Sequence, residues 1–226
     1  MKFSKQLAVL RQIYWFGRHL TNRGIANFNS YRYDRKLGIE TSRVLDRTEL
    51  GVEADKRKHA WSYHPCDTRR FSRVMRHLKI DFERFCFIDV GSGKGRVLFM
   101  ASELPFNRLI GVEFSIELNR IAESNLKRFA ANSSLAEKKI ELVCCDALEL
   151  ELPREPTVLF LFNPFDGEIM AKFIQGLENS LKFAPRPTII IYVHPTAEEV
   201  FQQSANWRLV IKERRKDDFV IYSFDS

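Results

Sequence analysis

Three features of the 226-residue sequence predict an α/β fold. From residue 86 onward, short apolar runs alternate with helix-like segments. The first run passes into a helix through a glycine-rich junction, FIDVGSGKGRVLFMA, residues 87–101. The chain ends on two consecutive strand-like runs with no room for a helix between them. Together they predict a doubly wound, mostly parallel seven-stranded sheet with a terminal antiparallel strand. A basic, largely helical N-terminal extension over residues 1–66 precedes a domain over residues 67–226.

The elements follow in order. DTRRFSRVMRHL, residues 67–78, reads as a helix capped by Asp67 or Thr68. CFIDVGS is the first strand and GKGRVLFMASEL its helix; RLIGVEF is the second strand. The next helix starts at an N-cap, Ser115, with Ile116, Arg120, Ile121, Asn125 and Phe129 at helical spacing. KIELVCCDA and TVLFLFNPF are the third and fourth strands. Ile169, Phe173, Ile174, Leu177 and Leu181 then mark one face of an amphipathic helix. TIIIYVHP is the fifth strand, TAEEVFQQSA a short helix, and WRLVIKERR and DFVIYSFD the closing pair. The central runs are continuously apolar, as expected of a parallel sheet covered on both faces.

The net charge of +7 is concentrated upstream. Residues 1–85 hold 19 Lys and Arg against 9 Asp and Glu, and no acid precedes Asp34. Residues 3–20 place Phe3, Leu7, Leu10, Tyr14 and Leu20 on one helical stripe, while residues 34–60 read as irregular and polar. A packed helix, a membrane-surface helix and a targeting segment all fit the stripe. Residues 1–60 are thereby a candidate contact for nucleic acid or another anionic surface. No apolar run is long enough to span a membrane. Cys66, Cys86, Cys144 and Cys145 form no C-x-x-C pair and read as reduced, mostly buried thiols of a cytoplasmic protein. A zinc site on His64 and Cys66 lacks a second half, so no metal is expected.

Two common ligands of such a loop are disfavoured. A P-loop needs a glycine five residues before Gly93, where Ile88 stands, and a hydroxyl after Lys94, where Gly95 stands. The dinucleotide fingerprint needs a small third residue where Arg96 stands, which disfavours a nicotinamide cofactor. Asp89, two residues before Gly91, repels phosphate and suits a ligand with a positive group. Glu113 ends the second strand 18 residues after Gly95, where a carboxylate can accept two ribose hydroxyls. Asp146, followed by Ala147, ends the third strand, where it can accept an exocyclic amino group. Asn163-Pro164-Phe165 ends the fourth. Four successive strands thus carry polar groups to one sheet edge, the edge at which open α/β sheets bind ligands.

On these residues, the chain from about 86 to 226 resembles the class I, seven-strand S-adenosylmethionine-dependent methyltransferase superfamily. Asp89-Val90-Gly91-Ser92-Gly93-Lys94-Gly95 is similar to its first motif, and Asn163-Pro164-Phe165 to its fourth. YDRKLGIET, YHPCDTRRF, GSGKGR, GVEFS and NPF are further similar to a largely uncharacterised bacterial methyltransferase group. GSGKGR…GVE is also similar to seven-strand lysine methyltransferases. The resemblance implies a Rossmann-like sheet and S-adenosyl-L-methionine as cofactor. Its contacts would be Asp89, Gly91, Ser92, Gly93, Gly95, Glu113, Asp146, Ala147 and Asn163, with Lys94 or Arg96 assisting at the carboxylate.

Asn163 and Phe165 are the implied catalytic pair. The asparagine oxygen would accept N–H bonds from an acceptor amine while the ring stacks on it or holds a cationic amine by its face. A single proline precedes Phe165 where related enzymes carry two, which turns the expectation from a planar base toward protein lysine or a small amine. His64 and His194, near Tyr63 and Tyr192, are candidate bases. Two alternatives stay open: an RNA or DNA N-methyltransferase using the basic extension, and a non-catalytic cofactor-binding module. The acceptor itself is not named by the sequence.

Overall fold

The computed structural model describes residues 29–50, 62–132, 140–214 and 218–224. Among these residues, seven strands form one sheet in the order β3-β2-β1-β4-β5-β7-β6. They are β1 (Cys86–Val90), β2 (Arg108–Glu113), β3 (Ile140–Cys144), β4 (Thr157–Phe162), β5 (Thr188–Val193), β6 (Trp207–Glu213) and β7 (Phe219–Phe224). β1 pairs in parallel with both β2 and β4, whereas β7 runs antiparallel between β5 and β6. The helices are α1 (residues 29–37), α2 (Thr68–Met75), α3 (Arg96–Ala101), α4 (Ile116–Asn132), α5 (Gly167–Phe183) and α6 (Glu199–Gln202). The predicted Rossmann-like α/β fold is present. The apolar stripe over residues 3–20 lies outside the described residues.

Alternation along the strands builds two core layers. Phe87 and Phe160 face α2 and α3, with Phe71, Val74 and Leu98. Ile88, Val90, Leu159 and Leu161 face α5, with Met170, Phe173, Ile174 and Leu177. Phe87 packs against the rings of Phe71, Phe106 and Phe160, with centroids 5.0–6.3 Å away. Truncating such a side chain to alanine costs about 3–5 kcal/mol.

Three local expectations change. In α4 the buried face runs through Leu118, Ala122, Asn125 and Phe129, so Ile116 and Arg120 face solvent. Cys66 and Cys86 are buried, but Cys144 is exposed and Cys145 half-buried, because β3 is a sheet edge. Helix α1 continues through residue 37, beyond the expected start of irregular chain at 34.

Residues 38–50 and 62–67 are stitched onto the carboxyl edge of the sheet. The Asp34 carboxylate accepts the main-chain N–H groups of Thr41 and Ser42, both at 2.6 Å, and folds that chain back on the end of α1. Leu45 and Tyr63 exchange two main-chain hydrogen bonds as an isolated antiparallel bridge. Asn125 of α4 accepts from Glu40 N and donates to the carbonyls of Glu40 and Lys94. Ser115 donates its hydroxyl to the Leu50 carbonyl and accepts Leu118 N–H, acting as both clip and helix cap. These contacts bring Leu50, Ser62, Tyr63, His64 and Cys66 to the glycine loop.

Candidate active site

The loop between β1 and α3 turns through three left-handed glycines, with φ of 78° at Gly91, 54° at Gly93 and 83° at Gly95. Two of them also need the missing side chain. A Cβ on Gly91 would lie 3.0 Å from Pro164, and one on Gly93 would lie 2.5 Å from the Tyr63 ring. Gly91 and Ser92 donate to the Val112 carbonyl, which holds the loop across the end of β2.

Two cavities open along this edge and share Gly91, Phe114 and Pro164. The first, of about 360 Å³, is lined by Asp89, Glu113, Arg96 and the glycine loop. Tyr63, His64, Phe162, Asn163 and His194 also line it. The second, of about 120 Å³, is an apolar slot formed by Val112, Phe114, Phe165 and Ile169, with Asp146 and Ala147 at its rim. A larger concavity of about 1000 Å³ lies elsewhere, between α1, α2 and α3. It is lined by Arg32, Arg35, Lys36, Arg69 and Arg76 against one acid, Glu103.

The acids are placed for distinct tasks. Asp89 is 2% exposed, and among the described residues no cation or hydrogen-bond donor meets its carboxylate. Burial, reinforced by the neighbouring charge of Glu113, raises its pKa well above the ordinary carboxylate value. Glu113 Oε2 accepts Gly93 N–H and Oε1 accepts Ser115 N–H, each at 2.9 Å. Burial raises its pKa while these backbone bonds oppose the rise. Each carboxylate oxygen has a second lone pair for a ligand hydroxyl. Asp146 Oδ1 caps the following turn at Leu148 N, 3.0 Å away, and the residue also lines the slot.

These residues fit the cofactor that the sequence implies. The unpaired carboxylate of Asp89 suits an ammonium, Glu113 suits a ribose diol, and the flat slot with Asp146 and Ala147 suits an aminopurine.

The acceptor end departs from expectation. Asn163, at φ 46°, ends β4. Its Oδ1 accepts the Thr196 hydroxyl at 2.6 Å and the Tyr192 hydroxyl at 3.1 Å. Tyr192 Oη in turn accepts Ala197 N–H at 3.2 Å. Both lone pairs of Oδ1 are therefore engaged, and the expected bond from an amine N–H to this oxygen has no free acceptor; the side-chain N–H₂ is what remains. Phe165 also differs. Its ring packs on Phe173 of α5, 5.4 Å between centroids, and lines the slot with Asp146 instead of the acceptor end. The aromatic rings that line the first cavity are Tyr63, Phe114 and Phe162.

Phe162 was not legible as a site residue, since it reads as the last apolar position of a strand. Its ring meets His194 edge-on at 5.4 Å, and the Arg70 guanidinium lies 5.8 Å from its centroid. Arg70 Nη1 lies 2.7 Å from His194 Nε2, and His194 Nδ1 lies 3.4 Å from Asp218 Oδ2. An arginine can only donate, so Nε2 is the accepting nitrogen and the imidazole is neutral. His64 sits exposed on the rim. The Cys66 thiol is pushed up to about 12, chiefly by burial, and stays protonated. Among the described residues no group of three or more His, Cys, Asp or Glu could hold a metal ion, and no helix is long and apolar enough to cross a membrane.

Comparison with protein-family models and with curated proteins gives no match. Solved structures do match. A candidate methyltransferase, yhhF, from Escherichia coli superposes with a TM-score of 0.53 at 15% identity, covering 72% of this chain and 88% of its own. A candidate RNA methyltransferase from Pyrococcus horikoshii gives 0.51 at 16% identity, over 70% and 86%. A protein of the NADB-Rossmann superfamily from Streptococcus agalactiae gives 0.50 at 11% identity, over 69% and 68%. The chain shares the seven-stranded Rossmann-like fold of these structures, and its two edge cavities lie at the carboxyl ends of the strands.

Proposed function

We propose that this chain is an S-adenosylmethionine-dependent methyltransferase that transfers the methyl group to a nitrogen nucleophile. An amine of a protein lysine or small molecule is the first choice of acceptor. One observation carries the reading: two buried carboxylates, Asp89 and Glu113, stand in one cavity behind a left-handed glycine loop, and among the described residues no cation meets Asp89. A buried unpaired carboxylate is costly, and a ligand with a positive amino-acid end and a ribose diol relieves that cost.

When bound, the cofactor supplies a methyl group already activated on sulfur. The chain's own work is then alignment and exclusion of water, which can lower a barrier by about 7–11 kcal/mol in favourable cases. Tyr63 closes the cavity over Gly93, its hydroxyl tied to the Thr41 carbonyl at 2.8 Å. The aromatic faces of Tyr63 and Phe162 suit an amine, a contact worth about 0.5–2 kcal/mol. Asn163, through its side-chain N–H₂, would donate to an oxygen of the acceptor and so help place it.

A second reading, methylation of RNA or DNA, is favoured by the basic concavity lined by Arg32, Arg35, Lys36, Arg69 and Arg76. Incubating the protein and its Asp89→Ala variant with radiolabelled S-adenosylmethionine and cell extract tests both. Label made soluble by protease supports a protein acceptor, label made soluble by nuclease the second reading, and label in small molecules the small amine. Equal incorporation by Asp89→Ala, or no binding of S-adenosylhomocysteine, would end the methyltransferase reading.

A further inference from the structure

We propose that the concavity between α1, α2 and α3 docks an acidic, amphipathic helical segment of the acceptor protein, an assignment that rests on the choice of a protein acceptor above.

The concavity has two cationic banks. Arg32, Arg35 and Lys36 stand at i, i+3 and i+4 on α1, and so share one face of that helix. Arg69, on α2, and Arg76, at its C-cap, stand seven residues apart on the other bank. All five are exposed, and the lining holds a single acid, Glu103. Among the described residues no carboxylate pairs with Arg35, Lys36, Arg69 or Arg76. Between the banks the floor is apolar, with Met75, Leu78, Met100 and Leu104. Thioether and leucine side chains repack readily around an incoming surface. A groove with an apolar floor between basic banks is the complement of a helix whose apolar stripe is flanked by acids.

The same cations suit nucleic acid, but the floor does not. Single strands are held by bases stacked on open ring faces. The three rings of this lining are packed within the protein. Phe71 meets Phe87 and Phe160, with centroids 6.3 and 5.9 Å away. Phe82 meets Phe106 edge-on at 4.9 Å, and the Arg96 guanidinium lies 4.7 Å from the Tyr33 centroid. The chain's own residues 1–28 are a poor occupant too. They carry Lys2, Lys5, Arg11, Arg18 and Arg23 and no acid, so charge opposes their seating between two basic banks.

The start of α2 touches both this concavity and the first edge cavity. Cys66 lines the edge cavity, Thr68 and Arg69 line the concavity, and Arg70 reaches back to His194 and Phe162. A segment docked here would bring the residues that flank it toward the edge cavity, which is what a docking site for an acceptor has to do.

Fluorescence anisotropy with labelled probes tests the proposal. The main probe is a synthetic peptide of about four helical turns, with leucines on one face and glutamates on both sides of it. Wild-type protein should bind it about 10-fold more tightly than a peptide of the same composition with scattered leucines, and more tightly than a single-stranded RNA oligonucleotide of similar net charge. Arg35→Glu with Lys36→Glu on one bank, and Arg69→Glu with Arg76→Glu on the other, should each weaken binding about 10-fold. Lys127→Glu with Arg128→Glu makes the same change of charge at exposed positions of α4 outside the concavity, and should bind as wild type does. Every variant should keep wild-type affinity for S-adenosylhomocysteine. Equal binding of the ordered and scattered peptides, or equal weakening by the α4 variant, would reduce the effect to net charge and overturn the proposal. Tighter binding of the oligonucleotide would make the concavity a nucleic-acid groove instead. No peptide binding, with a dimer in sedimentation that the bank variants dissolve, would give the concavity to a second copy of the chain. Peptide binding alongside label that nuclease releases from extract would separate the docked segment from the acceptor and refute the link between them. Failure of wild type to bind S-adenosylhomocysteine counts against the cofactor reading, whatever the peptide does.

Discussion

Tyr63 lies directly over Gly93: a Cβ at that glycine would sit 2.5 Å from both Cδ2 and Cε2 of the ring. The ring is anchored on its far side by the bond from its hydroxyl to the Thr41 carbonyl. Gly93→Ala therefore suffers twice, from the clash and from φ of +54°. The expected cost is about 1–3 kcal/mol in stability, with S-adenosylhomocysteine binding largely lost. Adding Tyr63→Ala should restore part of the stability and little of the affinity, because the wall over the loop is then gone. Thermal unfolding and calorimetry on the three proteins read both effects.

That relationship also shows what sequence can and cannot carry. Strand and helix alternation is written in local periodicity, so the sheet, Ser115 as a cap and the register of the acids along one edge were legible. Gly91, Gly93 and Glu113 follow from their place at strand ends. Tyr63 against Gly93 and Asp34 against Arg96 join residues 30 and 62 positions apart. No local pattern encodes such pairs. Phe165 and Asn163 show a further limit: the motif fixes which residues stand there, while α5 and the β5 hydroxyl fix where their side chains turn.

Asp89 should make the ligand-free protein less stable than it would otherwise be. Its folded pKa is raised above the ordinary value of 3.8, first by burial and then by Glu113. The folded state therefore holds the proton more tightly than the unfolded state. Its contribution to stability is full below about pH 4 and is lost as pH rises through the elevated folded value. Asp89→Asn removes this penalty, so its midpoint of unfolding near pH 7 should rise, by about 1–3 kcal/mol of stability. The same variant should lose most affinity for S-adenosylhomocysteine. A variant less stable than wild type would mean that an unseen partner compensates the carboxylate.

His194 gives the opposite sign. Burial first, then Arg70, lowers its pKa below the ordinary 6.5, against a smaller rise from Asp218. A depressed histidine contributes stability that is present above pH 6.5 and is lost as pH falls through the folded value. Arg70→Met should raise the titration midpoint of His194, followed by proton NMR of the imidazole. An unchanged midpoint would show that burial alone sets it.

Asn163→Asp separates the two faces of one side chain. Thr196 Oγ1 approaches Asn163 Oδ1 to 2.6 Å, a separation normal for O–H···O and short for N–H···O. Ala197 N–H can only donate, so it takes a lone pair of Tyr192 and leaves the phenol proton for Asn163. Both facts identify the engaged atom as the oxygen and leave the N–H₂ as the group for the acceptor. A carboxylate in its place can accept the same two hydroxyls, so folding and S-adenosylhomocysteine affinity should stay within about 1 kcal/mol of wild type, a small change for a substitution that keeps its contacts. Methyl transfer to extract acceptors should nonetheless fall about 100-fold, the usual loss when one positioned donor is removed. Transfer at near wild-type rate would instead show that the asparagine oxygen faces the acceptor during reaction, with Thr196 and Tyr192 giving it up on binding.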